Sequence, residues 1–384
     1  MTQDRNNVYR HHVMSVPEGV IRPLWSVMIP TYNCTHYLRE TLESVLAQDP
    51  GEEVMQITVV DNCSTEGDPE AIVTELGQGR VEFYRQPYNV GSLGNFETCL
   101  ELSRGYLIHT LHSDDCVREG FYEKMTSCFT RNPEIGAAFC RSIYIDDKSN
   151  WEGFSSLEIP KSGILPREWI ERIADVCCIS VPSLGVVRRE VYEALGGWDS
   201  RCGLSGDWEM WARIFAYYPV WYETEALAMW RRHSTSNNVV HAKSSQFIQE
   251  NFNTIEMIFK SYLPDGASSR GFRNGKQNCA FLALEAAHLL IYQGKTVKAF
   301  LEIKRALQYS LSAKVIRSVG RILLYDNMRS LIKRTRKLYD SPGYGHKYDE
   351  GLNRVKDNFV KLLEQDASVE SQLEDIKELE IGNQ

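Results

Sequence analysis

Short apolar runs alternate with helically spaced apolar positions through the first third of the chain. Residues 25–29 (WSVMI), 56–60 (QITVV), 81–85 (VEFYR) and 106–111 (YLIHTL) are apolar or β-branched runs bounded by turn residues, and predict four strands. Between the first two, Leu38, Leu42, Val45 and Leu46 recur at helical spacing behind Thr35, a residue suited to an N-cap. Helical segments over 69–76, 96–102 and 119–129 continue the alternation. Such a pattern predicts βαβ units and a parallel sheet covered on both faces, an α/β fold with a Rossmann-like first half. No GxGxxG follows the first strand, where Pro30-Thr31-Tyr32-Asn33 stands instead, so the dinucleotide fingerprint of NAD or FAD proteins is missing.

Each predicted strand runs toward a polar residue: Asn33, Asp61, Asn89 and Asp114. Ligands of open α/β sheets bind beyond the carboxyl ends of the strands, so these four side chains should converge on one crevice, which argues for an enzyme. Asp61 opens the polar turn Asp61-Asn62-Cys63-Ser64-Thr65. Its carboxylate can read the N–H edge of a pyrimidine or a ribose hydroxyl, or it can close an Asx-turn that caps the next helix. His112-Ser113-Asp114-Asp115 follows the fourth run. An acidic pair there suits Mg²⁺ or Mn²⁺ bound to a diphosphate, although Asp114 can equally cap the helix near Glu119, and His112 can be an ordinary strand-end histidine. About ninety residues later, Asp207 precedes Trp208, Trp211 and Phe215 at helical spacing. It either complements a helix dipole or, facing the crevice, takes a proton as a general base.

Composition narrows the field. With 384 residues, 43% of them hydrophobic, the chain can bury more than one core, and its net charge of -8 argues against a general nucleic-acid binder. Ten cysteines fit neither a disulfide framework nor paired CxxC zinc ligands and read as reduced structural thiols. No apolar leader opens the chain, and no run approaches the ~20 apolar residues that span a bilayer, so a cytoplasmic enzyme is expected. Trp169, Trp198, Trp208, Trp211, Trp221 and Trp230 crowd the segment from 150 to 240, as core or as sugar-stacking faces, with Trp208 the acceptor candidate.

Beyond residue 241 the texture becomes helical. Apolar positions flank Gln293-Gly294-Lys295 as in an αα-hairpin. Between Lys314 and Lys337, eight Lys or Arg face one Asp, a stretch that fits either an anionic membrane surface or a solvated basic face. A seam from Val355 to Leu379 fits a coiled-coil homodimer or a helix docked on the body. The expected organisation is a tail over 1–20, a catalytic domain over 21–240 with halves 21–115 and 116–240, a helical region over 241–340, and a linker with a last helix over 341–384.

The segments Ser26-Val27-Met28-Ile29-Pro30-Thr31-Tyr32-Asn33, Val59-Val60-Asp61-Asn62-Cys63-Ser64-Thr65, Asn89-Val90-Gly91, Ser113-Asp114-Asp115, Gly196-Gly197-Trp198-Asp199 and Gly206-Asp207-Trp208-Glu209-Met210-Trp211 carry a family likeness. In this order, over about residues 24 to 240, the chain resembles the family 2 glycosyltransferases of GT-A fold, of the bacterial surface-glycan type. The resemblance implies a Rossmann-like transferase domain with a C-terminal all-helical region. It further implies inverting transfer from a nucleotide-diphosphate sugar, a UDP-sugar by default, with Mn²⁺ or Mg²⁺. The acceptor would be a hydroxyl of a glycan or lipid-linked oligosaccharide; if the basic stretch lies on a membrane, this cytoplasmic enzyme would work at its inner face. Position by position, it implies that Pro30, Tyr32 and Asp61 hold the nucleoside with Asn89 and Asn95 near it. Thr31, Asn33, Gly91 and Ser113 complete the donor site, with Asp115 close to the sugar. Asp114 and His233 would serve the metal, Asp207 would be the base, and Arg231 would grip phosphate oxygens with its guanidinium fork.

Three positions depart from the pattern: His112 stands at the first acid of the DxD motif, Gly206 at the glutamate before the base, and Gly94 at a position that is often basic. The first two keep open a noncatalytic nucleotide-sugar-binding or scaffolding module. A sugar nucleotidyltransferase is the other alternative, but the chain lacks its Gly-rich basic loop after the first strand.

Overall fold

A computed structural model describes residues 8–175, 185–233, 244–263 and 269–323. The chain divides into two units, residues 1–319 and 320–384, and only 320–323 of the second are described. The expected coiled-coil seam, the linker and the distal half of the basic stretch therefore lie outside the described residues.

In chain order the elements are β1 (Trp25–Thr31), α1 (Thr35–Leu46), β2 (Met55–Asp61), α2 (Pro69–Gly77), β3 (Glu82–Arg85), α3 (Gly91–Leu102), β4 (Leu107–Thr110), β5 (Cys116–Val117), α4 (Phe121–Arg131) and β6 (Ala137–Ile145). They continue as β7 (Trp151–Phe154), β8 (Gly163–Ile164), α5 (Trp169–Asp175), β9 (Gly185–Arg188), α6 (Arg189–Leu195), a 3₁₀ segment over Ser200–Ser205, α7 (Gly206–Tyr217) and β10 (Val220–Arg231). Helices follow: α8 (Ser245–Ser261), α9 (Ser269–Tyr292) and α10 (Thr296–Tyr309), with further helical residues over 313–323.

The sheet runs β3-β2-β1-β4-β9-β6-β10-β5, with β7 beside β6 and β8 beside β10. β1, β2, β3 and β4 are mutually parallel, as the alternation predicts. Beyond those four strands the sheet is mixed: β9 runs antiparallel to both β4 and β6. β1 and β2 are buried along their whole length, which explains why they are apolar apart from Ser26, Gln56, Thr58 and their ends; Val27, Ile29, Ile57 and Val59 pack against Leu38, Leu42 and Val45 of α1. Strand order reverses direction beside β1, between β2 and β4, and the loops leaving the carboxyl ends of β1 and β4 open a crevice there.

Helix starts decide which side chains reach that crevice. α1 begins at Thr35 with Cys34 in the cap position and no side-chain cap, so Thr35 is a helical residue and not the N-cap expected. α2 follows the usual pattern, with Pro69 in its first turn and the Asp68 carboxylate accepting from Ala71 N at 3.0 Å. α3 starts at Gly91, five residues before the apolar pattern shows it, and so carries polar Ser92 and Asn95 on its first turns. α4 is preceded by Gly120 at φ 86°, which removes the reading of Asp114 as its cap. The αα-hairpin is present, with α9 and α10 joined across Gly294 at φ 77°.

Candidate active site

The loops after β1, β2 and β3 are stitched together by asparagines. Asn33 adopts φ 50°, and its Oδ1 accepts from the backbone of Thr65 (2.8 Å) and Glu66 (3.1 Å), while its own N donates to Ser64 Oγ at 2.9 Å. Asn62 Oδ1 accepts from Val90 N at 2.9 Å and its Nδ2 donates to Asn89 Oδ1 at 3.2 Å. Asn89 Oδ1 also accepts from Gly91 N at 2.9 Å. These bonds fix one wall of a cavity of about 690 Å³, lined among others by Pro30, Thr31, Tyr32, Asn33, Asn89, Gly91, Asn95, Ser113, Asp114 and His233. Ten of the fifteen site residues expected from the sequence thus share one pocket. Asn62, in the polar turn after β2, lines it too, as do Cys34, His36, Tyr37, Glu66, Ser92 and Phe96, which sequence reasoning did not assign to it.

Two features of this wall suit a polar ligand. Asn95 donates through Nδ2 to Val60 O at 2.9 Å, but its buried Oδ1 has no partner, and neither has the buried Thr31 Oγ1. Buried polar atoms are ordinarily hydrogen-bonded, and both of these residues line the cavity, so the two atoms are open to a ligand that enters it. α3 meets the cavity with no side-chain cap, and the positive end of its dipole favours an anion.

The opposite wall is the turn after β4. One ligand atom each of His112, Asp114 and Asp115 lies within 4.8 Å of the others, and Asp114 Oδ2 is 3.0 Å from His233 Nε2. Burial would raise the Asp114 carboxyl, but the His233 hydrogen bond and the two nearby imidazoles hold it below the usual carboxylate range. Burial also holds His112 below the ordinary imidazole value. Oxygen and imidazole donors grouped this closely fit a divalent cation.

Five expected residues do not line the cavity. Asp61 is fully buried; its Oδ1 accepts from Ser64 N (3.2 Å) and Oγ (2.5 Å), with Arg85 at 3.5 Å, so it closes the Asx-type turn. Arg231 is 1% exposed, and its guanidinium donates to Asp114 O (2.8 Å), Asp146 O (3.1 Å), Ser149 Oγ (2.8 Å) and Glu40 Oε2 (2.6 Å) while covering the Tyr37 ring. The expectation that it grips phosphate is corrected: its donors are spent on holding the acidic turn in place. Asp115 is buried as well, its Oδ1 accepting from Arg231 N at 2.9 Å. Trp208 is 6% exposed and donates its indole N–H to Ile173 O at 2.5 Å, a core arrangement and not an open acceptor platform.

Asp207 sits in the first turn of α7, partly exposed, with Oδ1 accepting from Trp208 N at 2.7 Å. It has no ion-pair partner among the described residues, and burial pushes its carboxyl up to about 7. An aromatic run leads from the cavity toward it: His112 stacks on Phe96 at 5.3 Å, and Phe96 stacks on Trp198 at 5.3 Å. A Cβ on Gly206 would lie 3.1 Å from Trp198, so glycine lets that ring pack against the start of α7. Behind it, the fully buried Glu209 pairs with Arg213 at 3.0 Å and with Tyr262 of the segment after α8, anchoring the helix.

A family model described as glycosyl transferase family 2 matches residues 26–196. An uncharacterized protein of Mycobacterium tuberculosis is 26% identical over 234 residues, 59% of this chain and 72% of the relative. An uncharacterized glycosyltransferase of Mycoplasma pneumoniae is 30% identical over 127 residues, 33% of this chain and 42% of that relative, so the match spans less than half of its length. Among solved structures, Staphylococcus aureus TarS 1-349 in complex with UDP superposes with a TM-score of 0.53 at 13% identity, covering 81% of this chain and 91% of that one.

Proposed function

From the premise that this chain belongs to the family 2 glycosyltransferases and has their GT-A fold, we propose that it moves a sugar, with inversion, from a nucleoside-diphosphate donor to an acceptor hydroxyl. The observation that carries this reading is the convergence of the loops after four adjacent strands on one cavity with two unlike walls. One wall offers asparagines, the unpartnered Asn95 Oδ1 and a helix dipole to a nucleoside and its phosphates. The other presents Asp114, His233 and the histidine and carboxylate beside them, a donor set that fits Mn²⁺ or Mg²⁺. A cation held there supplies charge neutralisation for the departing nucleoside diphosphate.

Asp207, held proton-avid by its surroundings, takes the proton from the acceptor hydroxyl. The acceptor oxygen then attacks the anomeric carbon from the face opposite the diphosphate, the bond to the diphosphate oxygen breaks, and the configuration inverts. Asp61 and Arg231 act by positioning the loops that touch the donor. UDP, which a structure similar to this chain holds, is the favoured donor moiety, and a glycan or lipid-linked hydroxyl the favoured acceptor. Exposed Val297, Phe300 and Leu301 on α10, beside Lys298 and Lys304, support an acceptor held at a membrane surface. No helix among the described residues is long and apolar enough to cross a membrane.

Donor hydrolysis and transfer across a panel of nucleotide sugars with Mn²⁺, with the anomeric proton of the product read by NMR, tests the reading. Turnover with an inverted anomeric centre is expected, and retention of configuration would contradict it. Because Asp207 does not line the cavity itself, a noncatalytic nucleotide-sugar-binding module is the second reading. Tight donor binding with no turnover on any donor would select it.

A further inference from the structure

We propose that His112 is a nitrogen ligand of the cation at this site, and that it forms with Asp114 and His233 a mixed imidazole and carboxylate set that selects Mn²⁺ or Co²⁺ over Mg²⁺. The inference rests on the reading that the pocket takes a metal-bound nucleoside diphosphate.

Three observations carry it. A histidine stands where the resembled motif has its first acid, and its ring nitrogen is within 4.8 Å of ligand oxygens of both Asp114 and Asp115. Metal–ligand bonds of about 2.0–2.2 Å let one ion bridge atoms roughly 4 Å apart, so only a small adjustment is needed. The ring is also held in place: it lies nearly parallel to Phe96, with 13° between the planes at 5.3 Å. The stacking limits how the ring can turn, which keeps its nitrogen at the spacing from the two carboxylates just given. Finally, His233 already meets Asp114 at 3.0 Å, so two imidazoles approach one carboxylate. Mg²⁺ is a hard ion that takes oxygen ligands, whereas imidazole suits the later divalent metals. Exchanging a carboxylate for a neutral ring also removes one negative charge, which costs Mg²⁺, bound chiefly by charge, the most.

The test uses the full chain with UDP as the nucleotide probe. Pulsed electron paramagnetic resonance of bound Mn²⁺ should show ¹⁴N couplings from two imidazoles in the parent, and one fewer in both His112→Asp and His112→Gln. Calorimetry of UDP binding in Mn²⁺ and in Mg²⁺ gives the selectivity. The preference for Mn²⁺ should narrow by roughly tenfold or more in His112→Asp, because exchanging a ligand or its support typically moves metal affinity 10- to 100-fold. The glutamine variant, which restores no charge, should lose the nitrogen coupling without gaining Mg²⁺ affinity. Unchanged couplings in both variants, or an unchanged metal preference in His112→Asp, would overturn the assignment. UDP binding that needs no cation would also overturn it, while leaving the nucleotide-sugar reading in place. Failure of nucleoside diphosphates to bind, with Mn²⁺ still coupled to His112, would sink that reading and leave the ligand assignment standing.

Discussion

Replacing Asp207 by Asn should abolish transfer and at the same time stabilise the protein, with the gain growing as pH rises. The Asp207 carboxyl, ordinarily near 3.8, stands at about 7 because burial disfavours its charge and the Trp208 N–H only partly compensates. Between those two values the folded chain holds a proton that the unfolded chain has released, so stability is lost as pH climbs through this window. Roughly three pH units at 1.36 kcal/mol each set an upper limit of ~4 kcal/mol at pH 8. Water reaching the partly exposed carboxyl reduces this to ~1–3 kcal/mol. Asparagine carries no charge to desolvate and keeps an oxygen for the Trp208 N–H. Urea or thermal unfolding of parent and variant should therefore put Asp207→Asn ahead by ~1–3 kcal/mol at pH 8 and by less than half of that at pH 5. In the same samples kcat should fall by ~10² or more in the variant, and the parent's kcat/KM should decline as pH drops below 7. Identical pH–stability curves, or substantial turnover in the variant, would refute both the perturbed carboxyl and its role as base.

Arg231→Ala should destabilise the fold by ~3–5 kcal/mol, because Glu40 and the carbonyls of Asp114 and Asp146 lose a buried partner. A variant that melts like the parent but loses UDP affinity would instead restore the phosphate-gripping role. Asn95→Ala should weaken binding of both UDP and uridine by ~1–3 kcal/mol, since the unpartnered Oδ1 is assigned to the nucleoside. Calorimetry with the two ligands checks this, and an effect on UDP alone would move Asn95 to the phosphates. Asp114→Ala should remove the cation dependence of UDP binding, and an unchanged Mn²⁺ response in calorimetry would take Asp114 out of the metal site.

Much of the first half was legible because burial and chemistry speak in the same places. β1 and β2 are covered on both faces and so read as mostly apolar runs, and the polar residues at their ends stand out against them. What the pattern hides is contact. Nothing in a four-residue run such as Gly185–Arg188 says that β9 enters antiparallel between β4 and β6, because strand direction is fixed by pairing partners far away in sequence. α3 begins early because Gly91 and Ser92 add no apolar positions to a helical period. A motif names an arginine at 231 but not its acceptors, and the four groups that occupy its guanidinium come from three separate segments. Trp208 has the same spacing whether it packs inward or faces a sugar, and only the bond to Ile173 decides between them. His112 read as a substitution within a motif; its ring plane against Phe96 became visible only in three dimensions.

The most direct test of the central claim is a crystal structure of the full chain grown with UDP and Mn²⁺, with diffraction collected at the manganese edge. The base should lie near Asn95 and the diphosphate near the start of α3, with one anomalous peak bonded to Asp114 and to the diphosphate oxygens. A nucleotide seated elsewhere, or a pocket with UDP bound and no anomalous peak beside Asp114, would contradict the account.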